Sequence, residues 1–144
     1  MPFDEPTPDT GLEQEVITRF VTRAKRERFL SFVSSKKRRD DFVTELRNPE
    51  VFDSRWVTEI TGADRNAGRL VDVLSKSGVG GRVYVVSSNS EWDAHRFQMS
   101  WFAQECCGAG FDTLAYCWKS QVGFYEQHHS GFTYVLKRTR SNER

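Results

Sequence analysis

The chain has no apolar run near the roughly 18 residues needed to cross a bilayer, and its mean hydropathy is −0.62. Its opening, Met1-Pro2-Phe3-Asp4-Glu5, lacks the basic-then-apolar order of a secretory leader. Cysteine is scarce: there are three, with Cys106 and Cys107 adjacent. An odd count, with two neighbours that would close a strained ring, argues against a disulfide framework, and no Cys-x-x-Cys spacing offers a zinc ribbon. These lacks predict a cytoplasmic protein with reduced, packed thiols and no membrane association. Walker, zincin and Gly-x-Ser-x-Gly motifs are missing too, and no internal repeat is visible.

What is present suffices for one core. The 144 residues are 38% hydrophobic and include eleven Phe and four Trp, enough apolar area to offset chain entropy. Three of the four prolines fall in the first eight residues among acids and threonines, where a helix cannot form. This predicts a disordered acidic tail over 1–10, a single domain over 11–138 and a frayed tail over 139–144.

Charge is uneven although the net value is only +1. Residues 1–18 carry five acids and no base, residues 19–47 carry ten bases and four acids, and the remainder balances at eleven each. The basic segment includes the run Lys36-Lys37-Arg38-Arg39, which could neutralise several phosphates of a nucleic acid. Asp40 and Asp41 follow at once, and a charge run on helices is also the ordinary make-up of a solvated face.

Periodicity predicts the elements. Leu12, Val16, Ile17, Phe20 and Val21 have helical spacing, as do Phe29, Leu30, Phe32 and Val33, then Phe42, Val43 and Leu46. Two or three helices follow, with breaks near Arg26 and Ser35, ending before Asn48-Pro49. A looser stretch reaches Gly62, and Asp64 is a candidate N-cap for a short helix up to Gly78. Val83-Tyr84-Val85-Val86 reads as a strand buried on both faces. After a polar loop, Phe97, Trp101, Phe102 and Cys106 mark a helix closed by Gly108 and Gly110. Three strands around 113–118, 122–126 and 132–136 follow, joined by short hairpins. The fold expectation is α+β: N-terminal helices packed on a small mixed sheet, in which a strand-helix-strand crossover precedes an antiparallel meander.

The loop Ser87 to His95 is the segment richest in chemistry, because ligands in open sheets favour the loops beyond strand carboxyl ends. Glu91, Asp93 and His95 stand two apart and could offer a divalent metal two carboxylates and an imidazole. The same Ser, Asn and Asp residues equally suit a turn into a helix. Ser90, Asp93 and His95 are the residue types of a hydrolase triad, but triads are assembled from distant elements. Trp92 is a large aromatic in a polar loop, the kind of residue that anchors a partner. Gly78-x-Gly-Gly precedes a strand, so it is no dinucleotide fingerprint, and His128-His129 reads as an exposed hairpin tip.

The segments Leu70-Val71-Asp72-Val73-Leu74, Val83-Tyr84-Val85-Val86-Ser87, Ser90-Glu91-Trp92-Asp93 and Gly123-Phe124-Tyr125-Glu126 give the chain a resemblance to small bacterial cytosolic proteins of unknown function, over about half its length. The resemblance implies a stand-alone domain and assigns no activity or site residues. Ala94 stands where those relatives have glycine. The functional expectation is a non-enzymatic binding or regulatory domain contacting a protein partner, through Ser90, Glu91, Trp92, Asp93 and His95 or through the basic helices. One alternative is nucleic-acid binding over 19–47 through Lys36, Lys37, Arg38 and Arg39. Another is a metal-assisted enzyme at the 87–95 loop. No cofactor is expected, and oligomeric state is left open.

Overall fold

The computed structural model of the chain describes residues 7–60 and 67–138. The side chain of Asp9 accepts a hydrogen bond from Leu12 N at 2.9 Å and caps helix α1, Thr10–Phe20, satisfying one of the amides a helix leaves free. Of the tail expected over 1–10, residues 1–6 lie outside the described residues. Thr7 N donates to Ala94 O at 3.3 Å. The tail expected over 139–144 and the N-cap expected at Asp64 also lie outside the described residues.

Helix α1 buries Glu13, Val16, Ile17 and Phe20, one stripe at helical spacing. It stops at Val21, which turns extended and bridges to Phe52, while Thr22 N donates to Val51 O at 2.9 Å. The first break therefore comes earlier than the expected one near Arg26, because Val21 and Thr22 find backbone partners outside the helix. Helices α2, Arg23–Val33, and α3, Arg39–Glu45, bury Phe29, Phe32, Val33 and Phe42. The second break is where it was expected, in the turn after Ser34. Asn48 and Asp53 then cap two short 3-10 turns, Pro49–Val51 and Ser54–Trp56.

The remaining elements are β1 (Val57–Ile60), α4 (Ala67–Lys76), β2 (Arg82–Ser87), β3 (Arg96–Gln98), α5 (Met99–Glu105), β4 (Thr113–Cys117), β5 (Val122–Glu126) and β6 (Thr133–Leu136). They form one six-stranded sheet in the order β1-β6-β5-β4-β2-β3. The α+β class stands, but the sheet is antiparallel between all neighbours rather than mixed. The reason is β3, a three-residue strand in the stretch assigned to helix. It reverses the chain beside β2 before α5 begins. Since β3 and β4 both run antiparallel to β2, they run parallel to each other, and α5 crosses over β2 between them. The crossover is real, but it starts from β3.

Alternation along the strands sends side chains to opposite faces. Tyr84, Val86, Leu114, Tyr116, Tyr125 and Leu136 pack with α1–α3. Val83, Val85, Ala115, Cys117, Phe124 and Val135 pack with Leu70 and Leu74 of α4 and Phe102 of α5. Burying each large apolar side chain stabilises the fold by about 1.5–3 kcal/mol before entropy. The Val83–Val86 strand is interior, paired on both sides and buried on both faces. Among the described residues no helix is long and apolar enough to cross a membrane.

Candidate functional site

The 88–95 loop joins β2 to β3 and turns on its own hydrogen bonds. Asn89 Oδ1 accepts from Glu91 N at 2.9 Å, Trp92 N and Asp93 N donate to Asn89 O at 3.0 Å each, and His95 N donates to Trp92 O at 3.2 Å. The polar residues thus build a strand-to-strand turn, where the sequence suggested a helix entry. Ala94, buried, adopts φ 63°, a left-handed conformation that glycine accepts at lower cost.

The predicted site residues diverge. Ser90 and Glu91 are exposed. His95 is buried and stacks on Phe97 at 5.7 Å between ring centroids. Asp93 points into the molecule, where its Oδ2 lies 2.6 Å from Arg39 Nη1 and its Oδ1 3.0 Å from Arg39 Nη2, with Ser87 N also donating to Oδ1 at 3.0 Å. No group of three His, Cys, Asp or Glu among the described residues is arranged to hold a metal.

Arg39 is the centre of this arrangement. Its Nε and Nη2 also grip the carboxylate of Glu13 at 2.7–3.1 Å, so one guanidinium forks onto two carboxylates. Tyr84 donates its hydroxyl hydrogen to Glu13 Oε2 at 2.6 Å and accepts from Asp9 N at 2.9 Å. Arg96 pairs with Asp9 and lies over the rings of Tyr84 and Trp118. Three carboxylates and two guanidiniums therefore bind α1, α3, β2, β3 and the 88–95 loop together. Desolvation alone would lower the Arg39 pKa, but the hydrogen bonds that Arg39 donates to Asp93 and Glu13 outweigh it and the group stays charged. Burial, with the Glu13 charge beside it, raises the Tyr84 pKa well above the ordinary phenol value. A cleft of about 730 Å³ opens next to this network between Thr7–Thr10 and Ser34–Lys36, with Arg39 in its wall.

The basic run is thereby divided. Lys36, Lys37 and Arg38 are exposed, whereas Arg39 is buried. A signal for this lay in the spacing: Glu13 stands on the Val16, Ile17 and Phe20 stripe, and Arg39 stands three residues before Phe42 on the buried face of α3. Charged residues at stripe positions must find partners inside.

The same end of the sheet gathers two further segments. Ser88 N donates to Asp112 O at 3.0 Å, His128 N to Asp112 Oδ1 at 2.8 Å, and the His128 ring meets Gly110 O. Glu126, buried at the end of β5, accepts from Gly108 N at 2.8 Å and Gly110 N at 3.4 Å. It holds the loop after α5, in which both glycines take positive φ as their closing role predicts. Phe111 of that loop meets Trp92 edge-to-face at 5.4 Å. Phe111 is 37% and Phe132 44% exposed, the two large hydrophobic side chains left in solvent among the described residues. Sequence reasoning singled out Trp92 but neither phenylalanine nor Glu126, since each looked like part of a strand or a turn. Scans against protein-family models, curated proteins and solved structures find no match to this chain.

Proposed function

We propose that this chain is a non-enzymatic binding module that engages a protein partner through the loop end of its sheet, with Trp92, Phe111 and Phe132 as anchors. The observation that carries this reading is the exposure of Phe111 and Phe132 at the end where Trp92 stands against Phe111. Large aromatics supply most of the energy at protein interfaces. The three loops are tied by a backbone hydrogen bond from Ser88 to Asp112 and by the Asp112 and His128 side chains before any partner arrives, which reduces the ordering cost of association. Ser90 and Glu91 on one side and His128 and His129 on the other are exposed and supply a polar rim. A binding role is favoured over a catalytic one because Asp93, the acid in both catalytic sets that the loop offered, is committed to Arg39 and to the Ser87 amide. Three unpaired thiols suit a reducing compartment, and we place the protein in the cytoplasm.

A photo-crosslinking residue at Phe132, with a control at Lys119, tests the reading in cells. The expected result is a crosslinked protein captured from position 132 and not from 119. Its affinity for the purified chain should fall about tenfold or more in Trp92→Ala and Phe111→Ser, without loss of folding. Equal capture from both positions, or an affinity untouched by both substitutions, overturns it.

A further inference from the structure

We infer that the turn between α2 and α3 is a second docking surface, built for the phosphate backbone of a nucleic-acid duplex. This rests on different residues from the loop-end reading and stands or falls separately. Lys36, Lys37 and Arg38 are consecutive and exposed, and neither lysine forms an ion pair among the described residues. Arg28 of α2 and Arg38 place their guanidiniums 5.2 and 4.9 Å from the centroid of the Phe32 ring. Two separate elements thus bring cations to one aromatic platform, which is itself 1% exposed.

The acids nearby compete weakly. Arg28 approaches Glu45 at 3.8 Å and Arg38 approaches Asp41 at 3.6 Å, beyond hydrogen-bond length, with the arginine side chains more than half exposed. Such pairs contribute little to stability, and a phosphate with charge-assisted hydrogen bonds can displace them. Asp40 is exposed beside the turn and subtracts from the positive field. The turn is also held in place: Arg39, the fourth member of the run, is locked inward by Glu13 and Asp93, so its three neighbours are presented from a fixed backbone.

The chemistry selects a backbone ligand. Phe32 and Val33 are buried and leave no apolar wedge for a membrane interface. No aromatic face is exposed at the turn for unstacked bases to cover. What remains is charge spaced along a surface, which reads phosphates without reading sequence.

Fluorescence anisotropy of the full chain with a labelled duplex of roughly 20 base pairs tests this, over about 25–200 mM KCl, since three to four neutralised phosphates give a log–log salt slope of about −3. K36Q/K37Q/R38Q should weaken binding at least tenfold at low salt and flatten the slope by about 2.7. Lys119→Gln, exposed elsewhere, should leave both unchanged. An unaltered circular dichroism spectrum of the triple variant keeps a folding defect from counting as support. Absence of binding at about 25 mM KCl, a salt-independent affinity, retention of binding in the triple variant, or preference for vesicles containing phosphatidylserine over the duplex each overturns the proposal.

Discussion

The face of the sheet under α1–α3 and the face under α4 and α5 are closed by different chemistry. On the first, three tyrosines of the sheet spend their hydroxyls on the helical layer: Tyr84 on Glu13, Tyr116 on Glu15 at 2.7 Å, and Tyr125 on the carbonyl of Leu46. Arg39 adds a charged fork across the same layer. On the second, Val83, Val85, Phe102, Phe124 and Leu74 meet through apolar surface. An apolar face tolerates small shifts of a helix, whereas a fork of hydrogen bonds has one geometry. The charged fork therefore defines where the 88–95 loop sits, while both faces supply apolar burial.

The sharpest way to break this contrast is Arg39→Met. It leaves Glu13, 1% exposed, without its cation, and should cost about 3–5 kcal/mol in urea unfolding. Glu13→Leu/Arg39→Met/Asp93→Asn should recover most of that loss, because a buried ion pair is replaced more cheaply than it is broken. A triple variant as unstable as the single one would show that the network acts through packing alone. On the apolar face, Leu74→Ala should cost about 3 kcal/mol through cavity formation. Hydrogen exchange of the 88–95 amides, by contrast, should rise in Arg39→Met and stay unchanged in Leu74→Ala at matched global stability.

Alkaline pH separates the faces by degree. Burial, together with the charges of Glu105 and Glu126, pushes the Cys106 thiol on the α5 side up to about 12 from an ordinary 9.0. As pH rises the unfolded chain gives up this proton first, so the contribution is whole below about pH 9 and is lost as pH climbs towards 12. Tyr84 follows in the same direction from its higher ordinary value of 10.0. Urea midpoints measured under reductant should fall above pH 9, and Cys106→Ala should make the first part of that fall shallower. The smallest effect belongs to the exposed rim: Glu91→Gln should change stability by no more than about 0.5 kcal/mol. Manganese, magnesium or zinc should leave the melting temperature of both proteins unchanged, because Asp93 already has its cation.

Much of the fold was legible because local patterns matched their surroundings. The stripe of α1, the continuous apolar run of β2, the alternation in β4 to β6 and the glycines after α5 each carry their own signal. The short edge strands were not legible. β3 has three residues, too few for periodicity, and β1, Val-Thr-Glu-Ile, is apolar only at its two ends and shows no alternation; each exists because a neighbour offers its hydrogen bonds. Of the site, Trp92 stood out as a large aromatic in a polar loop, but its half-buried packing against the core on the α4 and α5 side was not legible. The partnership of Asp93 with Arg39 spans 54 positions, and no spacing rule reaches that far.

Composition and periodicity by themselves determined an α+β chain with a double-faced interior strand and a charge distribution concentrated in one helical segment, because these properties depend on residues within a turn or two of one another. Tertiary structure alone decided the antiparallel order of the strands, the pairing of Arg39 with Asp93 and the standing of Phe111 and Phe132 in solvent. Each of these depends on which distant groups compete for the same hydrogen bonds and the same apolar surface, and that competition is resolved only when the layers close.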